Sequence, residues 1–291
     1  MDKNKIDNFL VIGLGLIGGS IAKDIRQFYP NANIDVIEPN EVGVSSAIED
    51  GIVNKAITYE EIPKKSYFII LATPIRTVIK IANGIKNVID EDSSSKSKQF
   101  FIIDTASTKA KITKEFEKLT SGNIEYIATH PMAGTEFTGY KHSRKHLFKS
   151  KAWMICEHSN NSECALKVTK SFINKLGGKI REIDPELHDQ YAAIVSHSII
   201  MLSNYIFDFI FEKSPEALEV AGDGFTSTTR LASGNPELHV DILINNHDFI
   251  KQTLGDFNKY LGNKLSNGVI EDKKFFNDNM KNRNSWIYKR S

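Results

Sequence analysis

The apolar run Asn8-Phe9-Leu10-Val11-Ile12 leads directly into Gly13-Leu14-Gly15-Leu16-Ile17-Gly18. A short apolar run ending on glycine reads as a buried strand, and the stretch from Gly18 onward reads as a helix. A G-x-G-x-x-G turn between a strand and a helix leaves little choice of fold. Gly13 makes the tight turn, Gly15 lets a pyrophosphate approach the backbone, and Gly18 lets the helix pack closely on the strand. The free backbone N–H groups, those of Leu14, Leu16 and Ile17 among them, and the helix dipole then face the phosphates. The alternative is a glycine-rich turn that binds nothing.

The surroundings of the turn favour the ligand. Glu38 closes the next apolar run, Asn33 to Ile37, twenty positions after Gly18. An acidic side chain there accepts from both ribose hydroxyls and repels a 2′-phosphate, so NAD is favoured over NADP. Thr73-Pro74 follows the apolar run from Tyr67 to Ala72, at the strand end where ligands bind in such sheets. The pair reads either as cofactor-proximal or as a plain helix start.

Further strand-like runs lie at Phe100 to Ile103, Tyr126 to Ala128 and Ala152 to Ile155, with a helical stretch around Ile75 to Ile89. Strands alternating with helices at these intervals predict an α/β fold with a doubly wound parallel sheet. After about Asp184 the texture changes. Leu187 to Glu212 is long, apolar on most faces and free of Gly and Pro, which predicts a helix buried on more than one side. Pro215 to Gly222 and Pro236 to Leu261 continue without an evident strand. The reading is a Rossmann-like domain over residues 1–184 and an all-helical domain over residues 185–291. A homodimer through the helical domain would supply the partner surface that its first helix needs.

Composition excludes several classes. With 41% hydrophobic and 25% charged residues the chain can bury ordinary cores, and a net charge of +1 makes no case for nucleic acid or a membrane surface. Cys156 and Cys164 form neither a disulfide framework nor a metal-ligand spacing, and no metal is expected. The N-terminus runs straight into the first strand without a cleavable signal pattern, and no apolar run is read as long enough for a membrane span. A cytoplasmic location is the expectation. Glu91 to Lys98 and the Lys/Asn-rich tail after Asn263 read as solvated loop or frayed terminus, and His142, His146 and His158 as solvated side chains.

Three further segments place polar residues at strand ends or in apolar helices: Asp104-Thr-Ala-Ser107-Thr-Lys109, His130-Pro-Met-Ala-Gly134-Thr135-Glu136 and Gly224-Phe-Thr-Ser-Thr-Thr-Arg230-Leu-Ala-Ser-Gly-Asn-Pro236. Together with Gly13 to Gly18 and His188-Asp189 to Ser196-His197, they resemble the prephenate/arogenate dehydrogenase family of tyrosine biosynthesis. The resemblance runs from about Phe9 to Asn246, and the His-Pro-Met-Ala-Gly-Thr-Glu segment is its most specific part. It implies a cyclohexadienol substrate bearing a ring carboxylate, a 4-hydroxyl and a pyruvyl or alanyl side chain. Oxidation at the 4-carbon sends a hydride to the nicotinamide, and loss of the ring carboxylate as carbon dioxide makes the ring aromatic.

The resemblance also implies roles. His130 is the general base for the 4-hydroxyl, a task suited to a neutral imidazole. Ser107 hydrogen-bonds the same hydroxyl or the histidine, or else caps the helix that follows it. Arg230 grips a carboxylate through its planar fork, with an exposed helix arginine as the plain alternative. His197, Thr135 and Glu136 are expected on the substrate side, and Lys109 in support.

The pattern departs from the family at three places. Prephenate users commonly read Ser-His-Leu-Pro-His where this chain has Ser196-His197-Ser198-Ile199-Ile200, so Ile200 stands for the second histidine. His239 and Ser227 stand where Trp or Gly, and Asp, are common. The ordering is prephenate first and arogenate second. A β-hydroxyacid dehydrogenase and a non-catalytic dinucleotide-binding protein are the readings from other classes.

Overall fold

The computed structural model describes residues 7–135, 137–266 and 273–288. Among them an eight-stranded sheet has the order β3-β2-β1-β4-β5-β6-β7-β8. Its strands are β1 (Asn8–Ile12), β2 (Asn33–Ile37), β3 (Lys55–Ala56), β4 (Tyr67–Leu71), β5 (Phe100–Asp104), β6 (Ile124–Pro131), β7 (Ala152–Cys156) and β8 (Lys179–Glu182). The first six pair in parallel in the doubly wound order, whose switch point lies between β1 and β4.

Two features go beyond the expected sheet. β7 runs antiparallel to β6, with His130 opposite Met154, and β8 then runs parallel to β7. β8, Lys-Ile-Arg-Glu, is largely exposed at the sheet edge, where a strand needs no continuous apolar run. That is why only the apolar strands stood out in sequence.

Alternate residues of the strands feed two cores. Phe9, Val11, Phe68 and Trp153 pack under α1 (Leu16–Phe28) and α5 (Glu163–Lys175) with Phe172. Leu10, Ile12, Ile69 and Ile102 face α3 (Ile75–Glu91) and α4 (Ala110–Leu119), and this second core also takes in Ala193, Met201, Ile242 and Ile250 of the helical region. The helical region is therefore docked on one particular face of the sheet by shared apolar burial, the main favourable term in such packing. α2 (Glu41–Glu49) lies between β2 and β3.

The long apolar segment forms α6 (Pro185–Ala192), a π-helical turn at Ala193–His197, and α7 (Ser198–Lys213). Together they make a 29-residue helix that is long and apolar enough, by length and composition, to cross a membrane. This corrects the reading that no run has that length: the charged residues lie toward the helix ends, Glu186 and Asp189 at one and Asp208, Glu212 and Lys213 at the other. The inward face carries the buried polar residues His188, Asp189, His197 and Ser203, and its bonds to the sheet domain make it part of the fold. The rest of it is not covered as expected. Val195 and Phe209 are each 66% exposed.

Beyond it lie α8 (Asp223–Thr229), α9 (Pro236–Asn245), α10 (His247–Ser266) and α11 (Lys273–Tyr288). The tail read as frayed is helical over α11, with no buried residue there. Cys156 is buried and Cys164 exposed, both free.

Candidate active site

The glycine turn sits at the switch point as its sequence requires. The helix begins at Leu16, slightly earlier than Gly18, with Gly15 at the cap position. Gly13 has φ +92°, and a Cβ there would lie 2.4 Å from the Ala72 carbonyl oxygen. A Cβ on Gly18 would lie 1.9 Å from the Gly13 oxygen. The fold itself demands those two glycines. At Gly15 a Cβ would meet nothing within 4 Å among the described residues, so the fold itself does not require glycine there.

Glu38 stands just past β2 and turns back to the same loop. Its Oε2 accepts from the Leu14 N–H at 2.6 Å and its Oε1 from the Asn40 N–H at 2.8 Å. Each carboxylate oxygen retains a further lone pair. Thr73 borders Gly13, its methyl 3.0 Å from where a Gly13 Cβ would be, and its buried hydroxyl has no hydrogen-bond partner among the described residues. Pro74 is exposed at the cap of α3.

His130 lies at the end of β6 and is 8% exposed. Its Nδ1 is 2.9 Å from Nε2 of His188, whose Nδ1 is 2.8 Å from Oδ1 of Asp189. Asp189 is itself held by backbone N–H groups at the start of α4: Lys109 donates to Oδ1 at 2.7 Å and Ala110 to Oδ2 at 2.9 Å. The network assigns the tautomers. The carboxylate accepts from His188 Nδ1–H, so in a neutral ring His188 Nε2 accepts from His130 Nδ1–H. The Nε2 of His130 is then left with a free lone pair. Burial, then the nearby His188 and Lys109, hold the His130 pKa well below 6.5 and so keep the ring neutral.

Lys109 supports this from beneath. Its ammonium is fully buried, pairs with Asp104 at the end of β5, and donates to the Thr129 carbonyl at 2.7 Å. The Thr129 N–H donates to Asp104 Oδ1 at 2.9 Å. Burial pushes the Asp104 carboxyl up, while Lys109 and the N–H groups of Thr129 and Ala106 pull it back. The strand ends carrying Asp104 and His130 are thereby tied together.

The other candidates fall around this cluster. Ser107 is half-buried in the bend between β5 and α4. It does not cap α4: Lys109 holds the cap position, and Asp189 takes the free N–H groups from a distant part of the chain. Thr135 is exposed in the loop after β6, where its hydroxyl accepts from the Phe137 N–H at 3.3 Å. Glu136 lies outside the described residues. His197 is buried at the end of the π turn. Arg230 is exposed at the start of the 3₁₀ turn Arg230–Ser233, which is held on α7 by the Ala232 N–H donating to Ser203 Oγ at 3.1 Å. Ile200 is half-buried against the second core, and the His239 ring rests on Gly234.

Sequence reasoning quoted His188 and Asp189 only as part of a pattern and gave them no task. Their signal was an adjacent ionisable pair inside an otherwise apolar helix.

A glycine turn at the switch point, with a buried histidine relay at the same edge of the sheet, defines a Rossmann-type dehydrogenase scaffold. More narrowly, the chain belongs to the prephenate dehydrogenase family. The family's nucleotide-binding domain matches residues 21–182 and its dimerization domain residues 184–280. Prephenate dehydrogenase of Bacillus subtilis is 26% identical over 84% of this chain and 65% of its own length. That of Lactococcus lactis is 27% identical over 87% and 68%. The chain thus spans about two thirds of the length of these relatives. The crystal structure of prephenate dehydrogenase from Aquifex aeolicus, in complex with hydroxyphenyl propionate and NAD+, has the same fold: TM-score 0.86 at 24% identity, covering 98% of this chain and 100% of that one.

Proposed function

We propose that this chain is an NAD-dependent prephenate dehydrogenase of tyrosine biosynthesis, acting in the cytoplasm as a homodimer. Residues 1–184 form the dinucleotide-binding domain, and residues 185–291 the helical domain for substrate and dimerisation. The observation that carries the reading is the His130–His188–Asp189 relay, which ends in a neutral imidazole nitrogen with a free lone pair. The names of the curated relatives support the reaction, and the ligands of the Aquifex protein, NAD+ and a hydroxyphenyl acid, support the pairing of cofactor and substrate.

NAD fits the residues present. The open face of Gly15, the spare lone pairs of Glu38 and the unpartnered hydroxyl of Thr73 are what a dinucleotide would use. When bound, NAD supplies the acceptor for the hydride that leaves the substrate's 4-carbon. His130 Nε2 takes the proton of the 4-hydroxyl as that carbon becomes a carbonyl. The resulting imidazolium is stabilised through His188 by the Asp189 carboxylate, the part an orienting acid plays in other base-catalysed sites. Loss of the ring carboxylate as carbon dioxide then makes the ring aromatic. Arg230 is assigned to a carboxylate and Ser107 to the hydroxyl, with Thr135 and Glu136 beside the substrate.

One observation favours a second substrate. Ile200 is an apolar, half-buried residue where a polar anchor for a keto acid is common, which suits arogenate. NADH formation measured with each substrate decides: prephenate is expected to be turned over faster, a strong preference for arogenate reverses the order, and no NADH with either overturns the reading. His130→Asn is expected to lower kcat about a hundredfold or more with NAD affinity unchanged.

A further inference from the structure

Next to the relay, another histidine is held in the opposite sense. Asn246, which caps α9, is buried, and its amide nitrogen donates to the backbone carbonyl of Asp189 at 2.8 Å. A carbonyl oxygen only accepts, so this contact tells the amide nitrogen from the amide oxygen. The same nitrogen lies 2.9 Å from Nδ1 of His197. It has a second proton to give and no lone pair, so His197 Nδ1 is an acceptor. In a neutral imidazole the proton then sits on Nε2.

The ring is neutral. His197 is 1% exposed, and burial outweighs the nearby Asp189 charge to push its pKa down to about 4. Its Nε2 is buried and has no hydrogen-bond partner among the described residues. Buried donors in folded proteins are nearly always paired, so an orphan of this kind calls for a reason. A charge on His197 would be felt at His130, which puts the orphan close to the relay.

We propose that Asn246 is a positioning residue that locks His197 as an Nε2–H donor, and that this donor serves a carboxylate oxygen of the bound substrate. Asp189 links both halves of the cluster. Its carboxylate sets His130 as an acceptor through His188, and its carbonyl anchors the amide that sets His197 as a donor. One segment of helix thus fixes the tautomer of a base on β6 and carries a hydrogen-bond donor of the opposite tautomer. The substrate assignment rests on the function proposed above, whereas the tautomer does not.

Two measurements test the proposal, and the first needs no substrate. Nitrogen-15 NMR of the whole chain is expected to find His197 protonated on Nε2 and bare on Nδ1 at neutral pH, its signals identified by their loss in His197→Gln. In Asn246→Ala a population with the proton on Nδ1 is expected to appear. A wild-type ring protonated on Nδ1, or a tautomer unmoved by Asn246→Ala, overturns the role of Asn246.

The second measurement is kinetic. His197→Leu is expected to raise KM about tenfold to a hundredfold, the worth of a hydrogen bond to a charged group, with little change in kcat. His197→Gln keeps an amide N–H where Nε2 stood and is expected to recover most of that loss. Asn246→Ala is expected to raise KM in the same direction. Equal KM in the Leu and Gln variants overturns the donor role. A wild-type chain that oxidises neither cyclohexadienol overturns the functional reading, and the NMR result still decides what Asn246 does.

Discussion

At the scale of single residues, Asp189 is the group that joins the two histidine pairs of the site. It accepts from two backbone N–H groups and from His188, and its carbonyl accepts from Asn246. Removing its charge without its shape separates orientation from packing. An asparagine at position 189 can offer His188 Nδ1 a donor, which reverses both tautomers and leaves a proton on His130 Nε2. Asp189→Asn is expected to lower kcat about a hundredfold to ten-thousandfold while the chain stays folded, as paired measurements of kcat and melting temperature would check.

The same buried rings make stability depend on pH. His130 and His197 are neutral in the fold, with His197 pushed down to about 4, and both recover the ordinary value of 6.5 when the chain unfolds. Below about pH 6.5 the unfolded chain binds more protons than the folded one, so stability falls as pH drops from there toward 4. His197 alone contributes on the order of 3 kcal/mol by the acid end of that window. Urea unfolding between pH 7 and pH ~4.5 is expected to record the decline, and His197→Gln to flatten it. A flat profile in the wild type would contradict buried, neutral rings. The ionisable pair at 188 and 189 was visible in the sequence, but its task was not. Which side chain orients which depends on three segments far apart in the chain, and nothing local encodes that.

At the scale of elements, the helical region holds the sheet domain by its helix ends. Asp189 takes the free N–H groups at the start of α4, and Asp241 of α9 accepts from the Arg76 N–H in the first turn of α3 at 3.3 Å. Both carboxylates are buried, and both lie where a helix N-terminus favours negative charge. Arg76 adds an exposed pair with Glu237, worth little on its own, and a second contact with the buried Asp241. Asp241→Ala leaves a helix N–H without its acceptor and is expected to cost about 1 kcal/mol, up to about 2, in denaturant unfolding. A variant as stable as wild type would remove Asp241 from this role. The capping could not be read from sequence, because each acceptor is more than 70 residues from its donors. The π turn was hidden too. Ala193–His197 reads as ordinary helix, and its wider turn is a tertiary accommodation at the site, where such turns are often found.

At the scale of the whole molecule, the largest unexplained feature is apolar surface. Besides Val195 and Phe209, the helical region exposes Phe211, Ile244 and Leu265. Large apolar side chains left exposed in one region are what an interaction face offers. The proposed homodimer would cover them, in line with the dimerization domain matched over residues 184–280. Sedimentation is expected to give twice the chain mass of 32.7 kDa. Val195→Asp with Phe209→Asp is expected to yield monomers that still bind NAD, and a double variant that stayed dimeric would move the interface elsewhere.

The division between what sequence determined and what tertiary structure decided follows the range of the interactions. The glycine turn, Glu38 and the apolar strands were legible because each rests on local constraints: a positive φ, a close approach, a hydrophobic period. The direction of β7 and the edge strand β8 were not: β7 was read as an apolar strand, but its antiparallel pairing is set by the folded sheet, and the exposed β8 needs no apolar run to form. His130 was legible as a candidate through the motif around it. That its Nε2 keeps a free lone pair, and that His197 Nδ1 meets an amide N–H, was decided by Asp189 and Asn246, which the folded chain brings in from other elements. A tautomer is a property of hydrogen-bond partners, and partners are chosen only when the chain is folded.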